Sequence, residues 1–302
     1  MLLNHRSVTV ASATIIMIAC GPAEEATPGT PIEIAEVGFA TPESVLHDPV
    51  ADRYLVSNIN GNPLMKDDNG FISRLSPTGE VEQLKWIDGE RDDVTLHAPK
   101  GMALIGDTLF VADIDVVRLF DRESGAALGE RPVPGATFLN DLTVGTDGLL
   151  YVTDSGLRAG QGGFEDSGTD ALWRFEPDGT PRSIVSGPGL GRPNGIVADS
   201  AGITVVTFGS GTIYHLDPAT GQRTDLRMPA QGQLDGVVRL SDGSLLISSW
   251  AASAVYRLSV AGEFTVVAES VPAPADIGYD VGRGRLLIPL FTDNRVLVRE
   301  VR

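Results

Sequence analysis

DGVVRLSDGSLLISSW, residues 235–250, is two short apolar strands joined by the turn Ser241-Asp242-Gly243, with a carboxylate at its head. Alternating β-branched and aliphatic residues bounded by a Ser-Asp-Gly turn are the signature of a tight β-hairpin. The same unit recurs along the chain: ESVLHDPVADRYLVSN from Glu43, KGMALIGDTLFVAD from Lys100, NDLTVGTDGLLYVTD from Asn140, NGIVADSAGITVVTF from Asn194 and DIGYDVGRGRLLIPLF from Asp276. Steps between the leading residues are 57, 40, 54, 41 and 41. A period near 40 with short strands predicts propeller blades rather than a helical solenoid.

The fifth copy predicts a blade's four strands at Gly236–Leu240, Ser244–Ser249, Ala254–Leu258 and Glu263–Ala268. Copy six leaves room for only three strands before Arg302, while the strand-like run Ile32–Val37 precedes copy one. The expected fold is therefore an all-β, six-bladed propeller over residues 32–302, its N-terminal strand completing the last blade. Closure of the ring removes exposed sheet edges. In this topology each leading residue opens an innermost strand beside the central channel. The loop after the second strand returns to the same face, and two copies are lengthened there, over Ser57–Phe71 and Ser155–Thr169. Long loops on one face of a compact scaffold are usually binding walls or lids. Trp86, Trp173 and Trp250 are expected in blade packing.

Outside the repeats, residues 1–19 combine His5 and Arg6 with an apolar stretch from Ser7 to Ala19, too short to span a bilayer but suited to a secretory signal. The sequence Met17-Ile18-Ala19-Cys20-Gly21 resembles the bacterial lipobox, which makes Cys20 the expected lipidation site. Residues 20–31 read as a flexible tether. The expected location is the periplasm, with a lipid anchor in the outer membrane. Cys20 is the chain's one cysteine, which excludes an internal disulfide framework and any thiolate cluster. A net charge of −17 repels phosphate backbones and anionic headgroups, so nucleic acid is excluded and membrane contact is expected only through the anchor. Nothing in the sequence indicates an oligomer. P-loop, dinucleotide-binding and nucleophile-elbow motifs are absent in their required contexts.

Six inner strands converge on one channel, so Glu43, Lys100, Asn140, Asn194, Asp235 and Asp276 can share a small space. Three carboxylates so close repel unless a cation joins them. Carboxylate and amide oxygens suit a hard divalent ion, calcium first, with magnesium, manganese or zinc as alternatives. A solvated channel mouth is the competing reading of the same residues. Asn58, Asp113 and Asp154 end second strands on this face and are candidate substrate contacts, as are Asp276 and His97.

The pattern resembles the SMP-30/gluconolactonase/LRE-like family, six-bladed propellers that include metal-dependent lactonases. Pro193-Asn194-Gly195 and Asp235-Gly236 match that family's Asn-Gly and Asp-Gly ligands. Pro42-Glu43-Ser44 keeps its ligand Glu without the Gly-Pro that follows, and Asn140-Asp141-Leu142 departs from its Asn-Asp-Gly. The resemblance implies a metal held by Glu43, Asn194, Asp235 and Asn140, Asn140 also serving to orient substrate, and hydrolysis of a small-molecule lactone or related ester. Asp235 or Lys100 is then the group that takes the proton of an attacking water. Lys100, where paraoxonase-like relatives carry His, is equally a stabiliser of the developing oxyanion or a simple counter-ion. The alternative is a non-catalytic propeller that binds a ligand or protein, with a structural metal.

Overall fold

The computed structural model describes residues 29–161, 163–200 and 202–301. The signal sequence, Cys20 and most of the tether lie outside the described residues. The chain forms six four-stranded antiparallel sheets arranged as the blades of a β-propeller. The innermost strands are Pro42–Asp48, Pro99–Ile105, Leu139–Val144, Pro193–Asp199, Leu234–Arg239 and Gly278–Asp280. Blade six holds Gly278–Asp280, Arg285–Leu290 and Arg295–Glu300, and Ile32–Ile34 pairs with the last of these, Ile32 opposite Val298 and Ile34 opposite Val296. The ring is thus closed as the repeat predicts, with a closing strand shorter than the run Ile32–Val37. In blade five the observed strands are Leu234–Arg239, Leu245–Ser249, Ala254–Leu258 and Phe264–Glu269, within two residues of expectation.

The hydrophobic core lies between blades. Leu55, Ile72 and Trp86 of blade one pack on Leu96, Met102 and Phe120 of blade two. Ile34, Leu287 and Val298 close the ring against Tyr54 and Val56 in the same way. On the face opposite the leading residues, polar pins join neighbours: Arg122 Nε donates to Asp48 across blades one and two at 2.8 Å. Arg283 pairs with Asp52 across blades six and one at 2.7 Å.

The inner strands are not regular at their heads. In five blades the ladder with the second strand breaks, between Pro42 and Ser44, Pro99 and Met102, Leu139 and Leu142, Pro193 and Ile196, and Leu234 and Val237. Each break contains a leading residue. A bulge takes a residue out of register and re-aims its side chain, which turns these side chains away from the blade toward the axis. Hydroxyls repair part of the loss: Ser57, Thr153 and Ser248 accept hydrogen bonds from the N–H groups of Ser44, Asp141 and Gly236 at 2.9, 3.0 and 2.7 Å. The residue after the leader must also let the next blade approach. A methyl on Gly195 would stand 2.4 Å from Asp235 O, and one on Gly236 2.4 Å from Ile277 N, so only glycine fits at either place.

Candidate functional site

On the bulged face the blades surround a cavity of about 420 Å³. Its polar floor is Glu43, Lys100, Asn140, Asn194 and Asp235, one leader from each of blades one to five. Glu43 Oε2, Asn140 Oδ1, Asn194 Oδ1 and Asp235 Oδ1 are all buried, and each lacks a hydrogen-bond partner. Asn140 is oriented by its other amide atom, Nδ2 donating to Ser155 Oγ at 3.0 Å, while Ser155 Oγ donates to Pro193 O at 2.7 Å. Its carbonyl oxygen is thereby committed to the cavity. Four acceptors drawn from four blades, none with a hydrogen-bond partner, form a set a cation can satisfy. No group of three or more His, Cys, Asp or Glu arranged for a metal occurs among the described residues. The candidate set is instead two carboxylates and two amides, the residues given as metal ligands in the sequence.

Electrostatics at the floor follow from burial. Glu43 and Asp235 both have carboxyl pKa values raised well above the ordinary range, first by burial. Asp235 and Asp276 raise Glu43 further, and Asp276 raises Asp235. The Trp250 indole favours the Asp235 anion by proximity, although its N–H makes no hydrogen bond of normal geometry. Lys100, 1% exposed, donates Nζ to Ala98 O at 2.9 Å and to Pro63 O at 3.4 Å. The ammonium also lies 4.5 Å from the centre of the Phe138 ring. Burial brings its pKa down to about 8, against the opposing pull of Glu43 and Asp113. No carboxylate among the described residues pairs with Lys100 within salt-bridge distance, so backbone carbonyls and an aromatic face hold the ammonium in place of a counter-ion.

The other sequence candidates sit close by but outside the lining. Asp276 accepts a short hydrogen bond from the Ser44 hydroxyl, and burial raises its pKa to about 7. Asn58, Asp113 and Asp154 are fully buried and spend their oxygens on the loop that leads into their own blade's inner strand. Asn58 accepts from Ala40 N at 3.1 Å, Asp113 from Ala98 N at 2.8 Å, and Asp154 from Phe138 N at 2.9 Å. Asp113 also pairs with Arg118 at 2.9 Å. These three are clamps that fix where each inner strand begins, so the expectation of direct substrate contact does not match their geometry. His97 is likewise turned away, its Nδ1 accepting from Asp68 N at 3.2 Å and lying 3.0 Å from the Asp68 carboxylate.

Several residues of the site were not singled out in the sequence. Asp141, beside Asn140, is buried and accepts from Leu142 N at 2.6 Å and from Ile196 N at 2.9 Å, tying blade three to blade four beneath the floor. The wall is aromatic: Phe138, Phe164, Phe208, Trp250 and Phe291, with Ile59, Pro63 and Leu157. Trp250 therefore lines the cavity, where blade packing was expected. Phe208 and Phe291 flank it with ring centres 5.4 and 5.2 Å away. The insertion after blade three's second strand folds as a hairpin, Leu157–Gly160 paired with Gly163–Asp166. Its position is fixed by Arg192 Nε, which donates to Asp166 Oδ1 at 2.7 Å. A signal for the wall was present one residue beyond the second strands. Ile59, Ser155, Phe208, Trp250 and Phe291 each follow the last residue of a second strand, and all of them line the cavity.

No protein-family model matches the sequence, and no curated protein matches it. Solved structures do resemble it. One, provisionally described as a gluconolactonase, superposes with a TM-score of 0.70 at 18% identity over 91% of this chain and 92% of its own. A gluconolactonase from Xanthomonas campestris gives 0.65 at 18% identity over 87% of each chain. Virginiamycin B lyase from Staphylococcus aureus gives 0.64 at 12% identity, over 90% of this chain and 99% of its own. At these identities the shared property is the propeller fold.

Proposed function

We propose that the protein is a divalent-metal-dependent hydrolase of a lactone or related ester, working on the bulged face of the propeller. The observation that carries this is the set of four buried, unpartnered oxygens on Glu43, Asn140, Asn194 and Asp235. Those four residues would hold the cation, and an all-oxygen set with two carboxylates favours calcium over softer ions. When bound, such an ion supplies Lewis acidity toward an ester carbonyl and lowers the pKa of water.

The chain's own groups supply the rest. Asn140, held by Ser155, orients the substrate at the floor. Lys100 brings a positive, fixed donor to the side of the same floor, suited to an oxyanion that grows as the carbonyl is attacked. With its pKa near 8, Lys100 can also hold or release a proton near neutral pH. Asp235 is the second group able to take a proton from attacking water. Asp141 and Asp276 keep the backbone and the Ser44 hydroxyl in place beneath. The aromatic wall excludes water from the reacting centre, which strengthens every charge interaction there.

A non-catalytic propeller with a structural metal is the second reading. Against it stands the cavity, whose floor joins a cation-ready oxygen set to a buried lysine. Export and lipid anchoring at Cys20 belong to the same proposal and place the reaction in the periplasm.

The test is calorimetric titration of chelator-treated protein with calcium, magnesium, manganese and zinc, followed by assays of lactones and aryl esters with each ion. Binding of one ion per chain with metal-dependent hydrolysis is the expected result. Absence of any ion binding would remove the mechanism, and binding without turnover would leave the structural-metal reading.

A further inference from the structure

The geometry points to an apolar substrate: a lactone or ester carrying an alkyl or aryl substituent, not a polyhydroxylated sugar lactone, with Phe164 as a specificity-determining residue. This rests on the hydrolase reading for the word substrate, but the shape of the binding site stands apart from it.

Polar and apolar surface are segregated in the cavity. The buried hydrogen-bonding side chains that line it sit at the floor or are already engaged, as Ser155 is with Asn140 and Pro193, apart from the Trp250 indole N–H, which is turned to Asp235 at the floor. Above the floor, besides that indole N–H, the polar side chains are Arg192, bound through Nε to Asp166, and the exposed Gln233. The rest of the wall is aromatic or aliphatic carbon. A sugar lactone would bring a hydroxyl on almost every ring carbon against those faces. Each one left without a partner costs about tenfold or more in binding. An alkyl chain meets the same faces favourably, by about fourfold for each methylene buried.

Among the large apolar residues described as exposed, Phe164 is the aromatic one and the one that lines the cavity. It is 52% exposed, on a hairpin that interrupts blade three alone, yet it lines the cavity and meets Phe138 edge-on at 6.5 Å. An exposed ring there gains little in folding and is available to a ligand. Besides the Phe138 contact, the hairpin is anchored by polar groups, the Arg192–Asp166 pair and the hydroxyl contacts of Thr137 with Ser167 and Thr169 at 2.8 and 2.7 Å. The hairpin's structural role is thus to hold Phe164 and Leu157 over the cavity.

Two measurements on metal-loaded protein test this separately from the hydrolase reading. The first compares kcat/KM for an unsubstituted δ-lactone, its butyl and hexyl derivatives, and glucono-δ-lactone. The second measures binding of the matching alkyl δ-lactams, which resist hydrolysis, by quenching of Trp250 fluorescence and by calorimetry. Expected are a rise of about fourfold per methylene in both series and a polyol at least a hundredfold poorer than the hexyl lactone. Phe164→Ser should cut the hexyl-to-unsubstituted ratio at least fivefold in both. If the lactams bind with this length dependence and no lactone turns over, the hydrolase reading falls and the apolar site stands. If glucono-δ-lactone is turned over as well as the hexyl lactone, or lactam binding ignores chain length or Phe164, the inference falls whatever the fate of the hydrolase reading.

Discussion

Asp235→Asn keeps the shape of one side chain and removes one of the two carboxylates among the four unpartnered oxygens. Two effects of opposite sign should follow. Metal binding weakens because ligand charge sets affinity in oxygen sites. One to two decades is the expected loss, about 1.4–2.8 kcal/mol. Metal-free protein, by contrast, should be more stable than metal-free wild type. Glu43 is held above its ordinary pKa by burial and then by Asp235 and Asp276, so losing the Asp235 charge relieves a repulsion. Like charges in one buried space cost about 1 kcal/mol or more. Calorimetric melting with chelator and with metal reads both effects. At metal a hundredfold above its dissociation constant, wild type gains about 2.7 kcal/mol. At the same concentration the variant should gain only about 0.4–1.4 kcal/mol. A structural residue with no part in metal binding would lower the melting temperature equally with and without metal. That result, or an unchanged metal gain, would refute the assignment of the floor as a cation site.

Lys100→Met should leave metal affinity equal or higher, since a positive charge leaves the floor, while kcat falls if Lys100 acts on the substrate; calorimetry and turnover separate the two. Asp280 tests the pinning of blade six to blade one. It accepts from the Tyr54 hydroxyl at 2.8 Å and from Arg283 Nη1 at 3.0 Å, with His47 Nδ1 3.8 Å away. Burial raises its pKa, but these hydrogen bonds outweigh it and hold it below the ordinary value of 3.8. A depressed carboxyl pKa contributes stability above the unfolded value that is lost as pH falls through the folded one. Asp280→Ala should therefore cost about 2–4 kcal/mol near neutrality, about 5–10 °C in Tm, and less below pH 3.8. Equal losses at pH 7 and pH 3 would contradict that account. Cys20→Ser should move the protein from the detergent phase to the aqueous phase in phase partitioning; identical partitioning of both forms argues against lipid at Cys20.

The blade repeat was legible because its causes are local. Alternating apolar residues, Asp-Gly and Ser-Asp-Gly turns and a period near 40 are written in consecutive residues, and the closing strand follows from counting. The floor was legible for the same reason: a polar residue at the head of every copy stands in register. What failed was direction. Asn58, Asp113 and Asp154 share the right face with the floor, and their type suggested contact with a ligand. Each instead faces a loop whose backbone N–H groups have no strand partner, and a buried amide must find an acceptor. A carboxylate at that corner is consumed by the fold. Side chains alternate along an extended chain, so the residue just past a second strand points where the strand's last residue does not, and there the sequence has Ile59, Phe208, Trp250 and Phe291. Apolar residues in a loop gave no chemical signal by themselves. Their signal was their common offset in the repeat, one place after the end of the second strand, and it identifies the wall once those strand ends are placed.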